Sequence, residues 1–223
     1  MHTRRRRTAY YGGTFDPVHL GHLTVATRLL DLFELDEFAF LPAYHAPHKP
    51  DSKPTSAYHR YAMLCLATED EPRIKVSQLE LETGEKRYTI DTLGQLKTFH
   101  AGETLFFVMG ADSWADILTW RRWEGVLLST NHIVVTRPGY EIETGHVTDA
   151  VRERIVDLRG RRSNDEIAAE LKEDDRIYFT DAVNFDVSAT EIRDDVRADA
   201  VLDRTDDVPV EVAKYIEKYD LYR

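Results

Sequence analysis

The sequence predicts an α/β domain built on an open, doubly wound, mostly parallel sheet. Three observations carry that expectation. The chain opens as strand, helix, strand. The run Leu105-Phe106-Phe107-Val108-Met109 is continuously apolar and stops at Gly110, as a strand covered on both faces does. Short apolar runs and helix-periodic segments then alternate along the rest of the sequence.

Thr8-Ala9-Tyr10-Tyr11 reads as a short buried strand, broken by Gly12-Gly13. A loop leads through Pro17 to a helix from about Gly21 to Phe33, whose apolar residues Leu23, Ala26, Leu29, Leu30 and Phe33 recur at helical spacing. Phe38 to Leu41 is the second strand, stopped by Pro42. Residues 42–54 hold four prolines and read as a loop; Thr55 or Ser56 then caps a helix to about Thr68. Ile74-Lys75-Val76 is a weak strand, and Thr89 to Phe99 a helix with Ile90, Leu93 and Leu96 on one face. After the strand ending at Gly110, Asp112 is placed to cap a further helix. Ile133-Val134-Val135 and Ile177-Tyr178-Phe179 are two more strands; the charged stretch 141–175 between them is expected to be partly helical. An amphipathic helix covers Val210 to Tyr219. With no internal repeat and no low-complexity linker, residues 1–223 are expected to form a single domain, with a helical part from about 186 to 223.

Composition narrows the function classes. The 223 residues are 42% hydrophobic and 31% charged, ordinary for a water-soluble globule. Forty acidic side chains against 29 Lys and Arg leave a net charge of -11, which argues against a surface that captures nucleic acid through its phosphates. No apolar run approaches a membrane span, and the basic start, Arg4 to Arg7, lacks the apolar stretch of a secretory signal and reads as a solvated lead-in to the first strand. The single cysteine, Cys65, lies in an apolar run and reads as a small buried hydrophobe; a reducing cytoplasm is the expected location. The sequence is compatible with a monomer or a homo-oligomer.

Five motifs carry chemistry. In Gly12-Gly13-Thr14-Phe15-Asp16-Pro17-Val18-His19-Leu20-Gly21-His22, two glycines let the backbone approach a ligand and take strained dihedrals, and the following helix start offers unpaired N–H groups to phosphate. His19 and His22, three apart, share one face of that first turn; neutral rings donate hydrogen bonds to phosphate oxygens, and cationic rings add charge. Pro47-His48-Lys49-Pro50 sets two basic groups on a proline-stiffened loop at a strand's carboxyl end, placed to close over polyphosphate. Tyr88-Thr89 opens a helix whose first N–H groups suit an anion, although taken alone the motif reads as an ordinary cap. Gly110 and Asp112 follow the central strand, where a carboxylate can accept ribose hydroxyls, and Trp120 has the ring face to stack on a pyridinium cation or to pack in the core. Ser188-Ala189-Thr190-Glu191-Ile192-Arg193 has the spacing of a capping box, with Thr190 for a phosphate oxygen and Arg193 as a clamp.

The first motif resembles the HxGH nucleotidylyltransferases, with His19-Leu20-Gly21-His22 as the signature, and Gly12 to Pro17 is similar to the form found in nicotinate-nucleotide adenylyltransferases. The resemblance extends from Gly12 to Leu221-Tyr222-Arg223, with 141–175 its poorest stretch. It departs at Ala46-Pro47, where two prolines are usual, and at Arg121, where a second aromatic is common. The resemblance implies a Rossmann-like fold and adenylyl transfer from ATP, with Mg²⁺, to nicotinate mononucleotide. It implies catalytic roles for His19, His22, Lys49 and Arg193. It implies ATP contacts from Gly12, Gly13, Thr14, Phe15, His19, His22, Gly110, Asp112, Ser188, Thr190 and Arg193. It implies mononucleotide contacts from Thr14, His48, Lys49, Tyr88, Thr89, Trp120 and Arg137, with Tyr88-Thr89 holding the pyridine carboxylate and Trp120 stacking on its ring. No metal ligand among the side chains is expected. The rivals are a nicotinamide-mononucleotide or other HxGH transferase, a non-catalytic nucleotide-binding module, and an RNA-linked synthetase, the last unsupported by the acidic charge balance.

Overall fold

A computed structural model describes residues 4–44, 54–82, 84–85, 87–136, 141–161, 163–172, 174–181, 183, 187–198 and 207–223. In chain order the elements are β1 (Arg7–Gly13), α1 (Leu20–Leu32), β2 (Glu37–Pro42), α2 (Ala57–Ala67), β3 (Ile74–Val76), α3 (Thr89–Phe99) and β4 (Thr104–Gly110). There follow α4 (Ala111–Ala115), a 3-10 turn at Ile117–Thr119, α5 (Trp123–Leu127), β5 (Asn131–Val135), α6 (Asp149–Arg152), β6 (Ile155–Asp157), α7 (Asn164–Ala168), β7 (Ile177–Thr180), α8 (Ala189–Arg197) and α9 (Val210–Lys218). The strands form one seven-stranded sheet in the order β3-β2-β1-β4-β5-β7-β6, with every described pairing parallel.

Alternation along the central strands sends successive side chains into two cores. Ala9 of β1 and Phe106 and Val108 of β4 meet Leu29 of α1, Met63 of α2, Ile192 of α8 and Val212 of α9. Tyr10, Phe107 and Met109 face the other way, onto Leu93 and Leu96 of α3, Trp114 of α4 and Val126 of α5. Helices on both faces are what make the strands apolar throughout: Phe38, Phe40, Phe106 and Phe107 are each 3% exposed or less. Full burial of one such side chain is worth about 1.5–3 kcal/mol.

The structure departs from the sequence reading in five places. Gly12 and Gly13 do not break β1: they stay in register with Leu41 and Pro42 of β2. Among the described residues, the stretch expected to be partly helical holds two short helices, α6 and α7, and also a strand the sequence did not show, β6, which pairs at the sheet edge with β7. Its sequence, Ile155-Val156-Asp157, is too short to show a period among charged neighbours. The basic lead-in is neutralised: Arg4 bonds Asp36, Arg6 bonds Glu37 and Arg7 bonds Glu34, which clips β1 to the corner between α1 and β2. Cys65 is half-buried, because it sits on a partly open side of α2. Asp112 is the second residue of α4; the cap is Gly110.

Candidate active site

The strand order turns around between β1 and β4, and an open α/β sheet leaves a crevice at the carboxyl end of such a pair. A cleft of about 1100 Å³ lies there. Its walls come from the loop after β1 (Thr14, Phe15, His19, His22), from the end of β4 (Gly110, Asp112) and from the start of α8 (Ser188, Thr190, Arg193). Three motifs separated by up to 180 positions in the sequence therefore meet.

The two glycines serve space rather than dihedral freedom. A Cβ on Gly13 would stand 2.7 Å from the Phe15 ring, and one on Gly12 would stand 2.7 Å from the Phe107 ring. The left-handed residue of the loop is Phe15 itself, at φ 51°. That conformation is costly for a bulky side chain and persists only where packing imposes it. Here the ring is 4% exposed and stands edge-on to His22, with centroids 4.9 Å apart, and to Tyr11 at 5.4 Å. Phe15 thus wedges the first turn of α1 against the sheet.

His19 precedes α1 as its cap and His22 stands in its first turn. The His19 N–H donates to His22 Nδ1 at 3.3 Å. Burial pushes the His19 pKa down to about 4 and His22 well below its ordinary value, with His19 adding to the effect on His22. Both rings are therefore neutral near pH 7 in the protein alone. With Nδ1 of His22 accepting, its proton sits on Nε2, which makes Nε2–H the donor.

The Ser188 site forms only in part. Ser188 is the cap residue of α8, but its side chain makes no capping bond, so the expected Ser188–Glu191 box is not closed. Ser188, Ala189 and Thr190, at the start of α8, line the cleft. Arg193 donates through Nη1 to the Asp16 carbonyl at 2.7 Å and through Nη2 to Thr190 Oγ1 at 3.1 Å. One of its five donors thus ties α8 to the loop after β1, and a second is engaged within α8.

Tyr88, Thr89 and Trp120 do not line this cleft. Thr89 is the first residue of α3, with Tyr88 as cap, and Trp120 is half-buried with Ile90 against the core under α3 and α5. The departure at Arg121 has a partner: its guanidinium lies 4.7 Å from the Tyr88 ring centroid. His48, Lys49 and Arg137 lie outside the described residues.

Among the cleft or cleft-supporting residues that carried no assigned role in the sequence reading are Asp16, Arg60, Thr136 and Tyr222. Thr136 follows β5 at the same sheet end. One signal was available for Arg60. It occupies a core-facing position of α2, in line with Ala57, Met63 and Leu64, and is 0% exposed. A charge on an apolar face needs a reason.

The cytidylyltransferase-like family matches residues 10–195. A probable nicotinate-nucleotide adenylyltransferase of Mycolicibacterium vanbaalenii is 36% identical over 220 residues, 99% of this chain and 94% of that one. One from a Thermoanaerobacter strain is 36% identical over 221 residues, 99% and 96% of the two chains. Among solved structures, the nicotinic acid mononucleotide adenylyltransferase of Plasmodium falciparum, complexed with NaAD, superposes with a TM-score of 0.70 at 21% identity, covering 97% of both chains. That likeness establishes the fold. Among the described residues no helix is long and apolar enough to cross a membrane.

Proposed function

This chain belongs to the cytidylyltransferase-like family and, within it, to the nicotinate-nucleotide adenylyltransferases, and from that premise we propose that its cleft transfers the adenylyl group of ATP to nicotinate mononucleotide. The products are nicotinate adenine dinucleotide and pyrophosphate. The observation that carries the reading is the neutral His19–His22 pair at the start of α1, set in the cleft where β1 and β4 stop.

A phosphate oxygen of the mononucleotide attacks the α-phosphorus of ATP, and pyrophosphate departs in line. The nucleophile is already an anion, so the step needs no strong base; positioning and charge stabilisation supply the rate. The neutral imidazoles of His19 and His22 donate to the transferring phosphate, while the Leu20 and His22 N–H groups at the start of α1 are already taken by the Asp207 and His19 carbonyls. Thr14, Phe15 and the backbone at Gly12 and Gly13 shape that end of the cleft, and Asp112 beside Gly110 accepts the ribose hydroxyls. Ser188, Thr190 and Arg193 at α8, with Lys49, take the pyrophosphate. Mg²⁺ would enter with ATP as part of the substrate and would offset phosphate charge there. The mononucleotide contacts fall to His48, Lys49, Arg137, the Tyr88-Thr89 start of α3 and the Trp120 ring. Residues 1–223 act as one domain, in the cytoplasm, without nucleic acid or membrane as partner.

The test is pyrophosphate release with ATP and Mg²⁺, comparing nicotinate with nicotinamide mononucleotide. A strong preference for nicotinate is expected. Parity or the reverse preference removes the carboxylate role of Tyr88-Thr89, and no release with either acceptor removes the reaction.

A further inference from the structure

We infer that Asp16 and Tyr222 act as one positioning pair for the reaction, tying together the chain segments that wall the nucleotide cleft. The inference rests on the reading of that cleft as the adenylyl-transfer site.

Asp16 is 9% exposed and every oxygen it carries is used across the fold. Oδ1 accepts the Tyr222 hydroxyl at 2.7 Å, from 206 positions away. Oδ2 accepts the Thr55 N–H at 3.0 Å, just before α2. Its carbonyl accepts Arg193 at 2.7 Å, from α8. Asp16, Thr55, Arg193 and Tyr222 all line the cleft. One residue therefore sets the distance between the loop that leads to His19, the start of α2, the start of α8 and the segment after α9.

Arg60 makes the Thr55 node rigid. Its Nε donates to the Thr55 carbonyl at 2.9 Å, Nη1 to the Thr14 carbonyl at 2.5 Å, and Nη2 to the carbonyls of Ala43 at 2.6 Å and Tyr44 at 3.2 Å. Thr55 is thus held by both its carbonyl and its N–H, and one fork ties it to Thr14, Ala43 and Tyr44. All four partners of Arg60 are neutral carbonyls. A buried guanidinium so arranged costs desolvation that an apolar side chain of similar size avoids. What it supplies is a fixed spacing between three segments. Tyr222 reaches this node from outside α2: burial first, and then Asp16, raise its pKa, so its hydroxyl stays the donor.

Positioning of this kind acts on the transition state more than on ground-state binding. The experiment is a cycle of Tyr222→Phe, Asp16→Asn and the double variant in the full chain, read as kcat and KM for ATP in pyrophosphate release. Thermal unfolding and calorimetric titration with MgATP accompany it. Each single change is expected to lower kcat about tenfold or more, while KM for ATP moves less than about threefold. The double variant is expected to fall no further than the worse single one, because the tyrosine acts through the aspartate. Full kcat in Tyr222→Phe overturns the inference, as does a double variant whose losses multiply. If the wild-type chain releases no pyrophosphate with any pyridine mononucleotide, the proposed function fails. The pair, a positioning device for that reaction, then falls with it, whereas release by the wild-type chain together with full kcat in Tyr222→Phe overturns the pair alone.

Discussion

The rings of His19 and His22 lie 3.7 Å apart, centroid to centroid, and are tilted by 30°, with the His19 N–H donating to the neighbouring Nδ1. Two imidazoles this close cannot both carry charge, and burial keeps both neutral. They are a pair of oriented donors. His19→Ala is therefore expected to lower kcat about 100- to 1000-fold, the usual loss when one donor to a developing oxyanion is removed. Steady-state kinetics and a thermal melt check it: turnover near that of the wild type would remove His19 from the chemistry.

The same neutrality has a consequence for acid stability. His19 and His132 are each pushed down to about 4 by burial, against an ordinary value near 6.5. Between those pH values the unfolded chain takes up protons that the folded chain refuses. Stability is complete above about pH 6.5 and falls as pH drops towards 4, by on the order of 1–3 kcal/mol for each such histidine. His132 is 0% exposed, and its Nε2 has no hydrogen-bond partner among the described residues. His132→Leu should therefore flatten the decline measured by urea unfolding between pH 7.5 and 4.5. An unchanged slope would show that the ring does not titrate as argued.

Glu80 gives the opposite sign. Burial pushes its carboxyl up to about 7, against the bond from the Thr92 hydroxyl and the charge of Arg87. A raised carboxyl contributes stability that is fully present below about pH 4.5 and lost as pH rises through 7. Glu80→Gln keeps an oxygen for the Thr92 hydroxyl, now bonded at 2.8 Å, and cannot ionise. The variant should match the wild type near pH 4.5 and exceed it by about 1–2 kcal/mol at pH 8.5. Equal denaturation midpoints at both pH values would refute the raised carboxyl.

How much of this was legible in the sequence follows from what each residue needs. The apolar run 105–109 had to be a buried strand, and the helical spacing of Leu29, Leu30 and Phe33 had to be a helix, because local pattern and tertiary burial agree there. The histidine pair was legible because its spacing is itself the geometry. Strand β6 was not, since three residues at a sheet edge show no period. The glycines were found for an incomplete reason, because the rings that need the space, Phe15 and Phe107, are fixed only by the fold. Asp16 was part of the motif, yet its partners Thr55 and Tyr222 lie 39 and 206 positions away, beyond any local reading.

Ser188 separates capping from ligand binding. Because its side chain makes no bond to α8, Ser188→Ala should cost less than about 0.5 kcal/mol, well under an ordinary cap. Ser163 is the internal control: its Oγ accepts the Glu166 N–H and its own N–H donates to Glu166, so Ser163→Ala should cost about 1 kcal/mol. Ser188→Ala should still weaken MgATP binding several-fold by titration calorimetry, since Ser188 lines the cleft. A stability loss equal to that of Ser163→Ala, with ATP affinity intact, would make Ser188 a cap and nothing more.

Trp120 lies apart from the ATP cleft, half-buried beside Ile90, on the side where Arg121 covers the Tyr88 ring. If its indole stacks on the pyridinium of the mononucleotide, the loss in Trp120→Ala should fall on one substrate only. A cation–ring stack of roughly 0.5–2 kcal/mol corresponds to a KM for nicotinate mononucleotide raised about 3- to 30-fold. KM for ATP should stay within about twofold, because the ATP-lining segments after β1, β4 and at α8 do not include this ring. Equal rises in both constants would place Trp120 in the packing under α3 and α5. A rise for the mononucleotide alone would place the pyridine ring against Trp120.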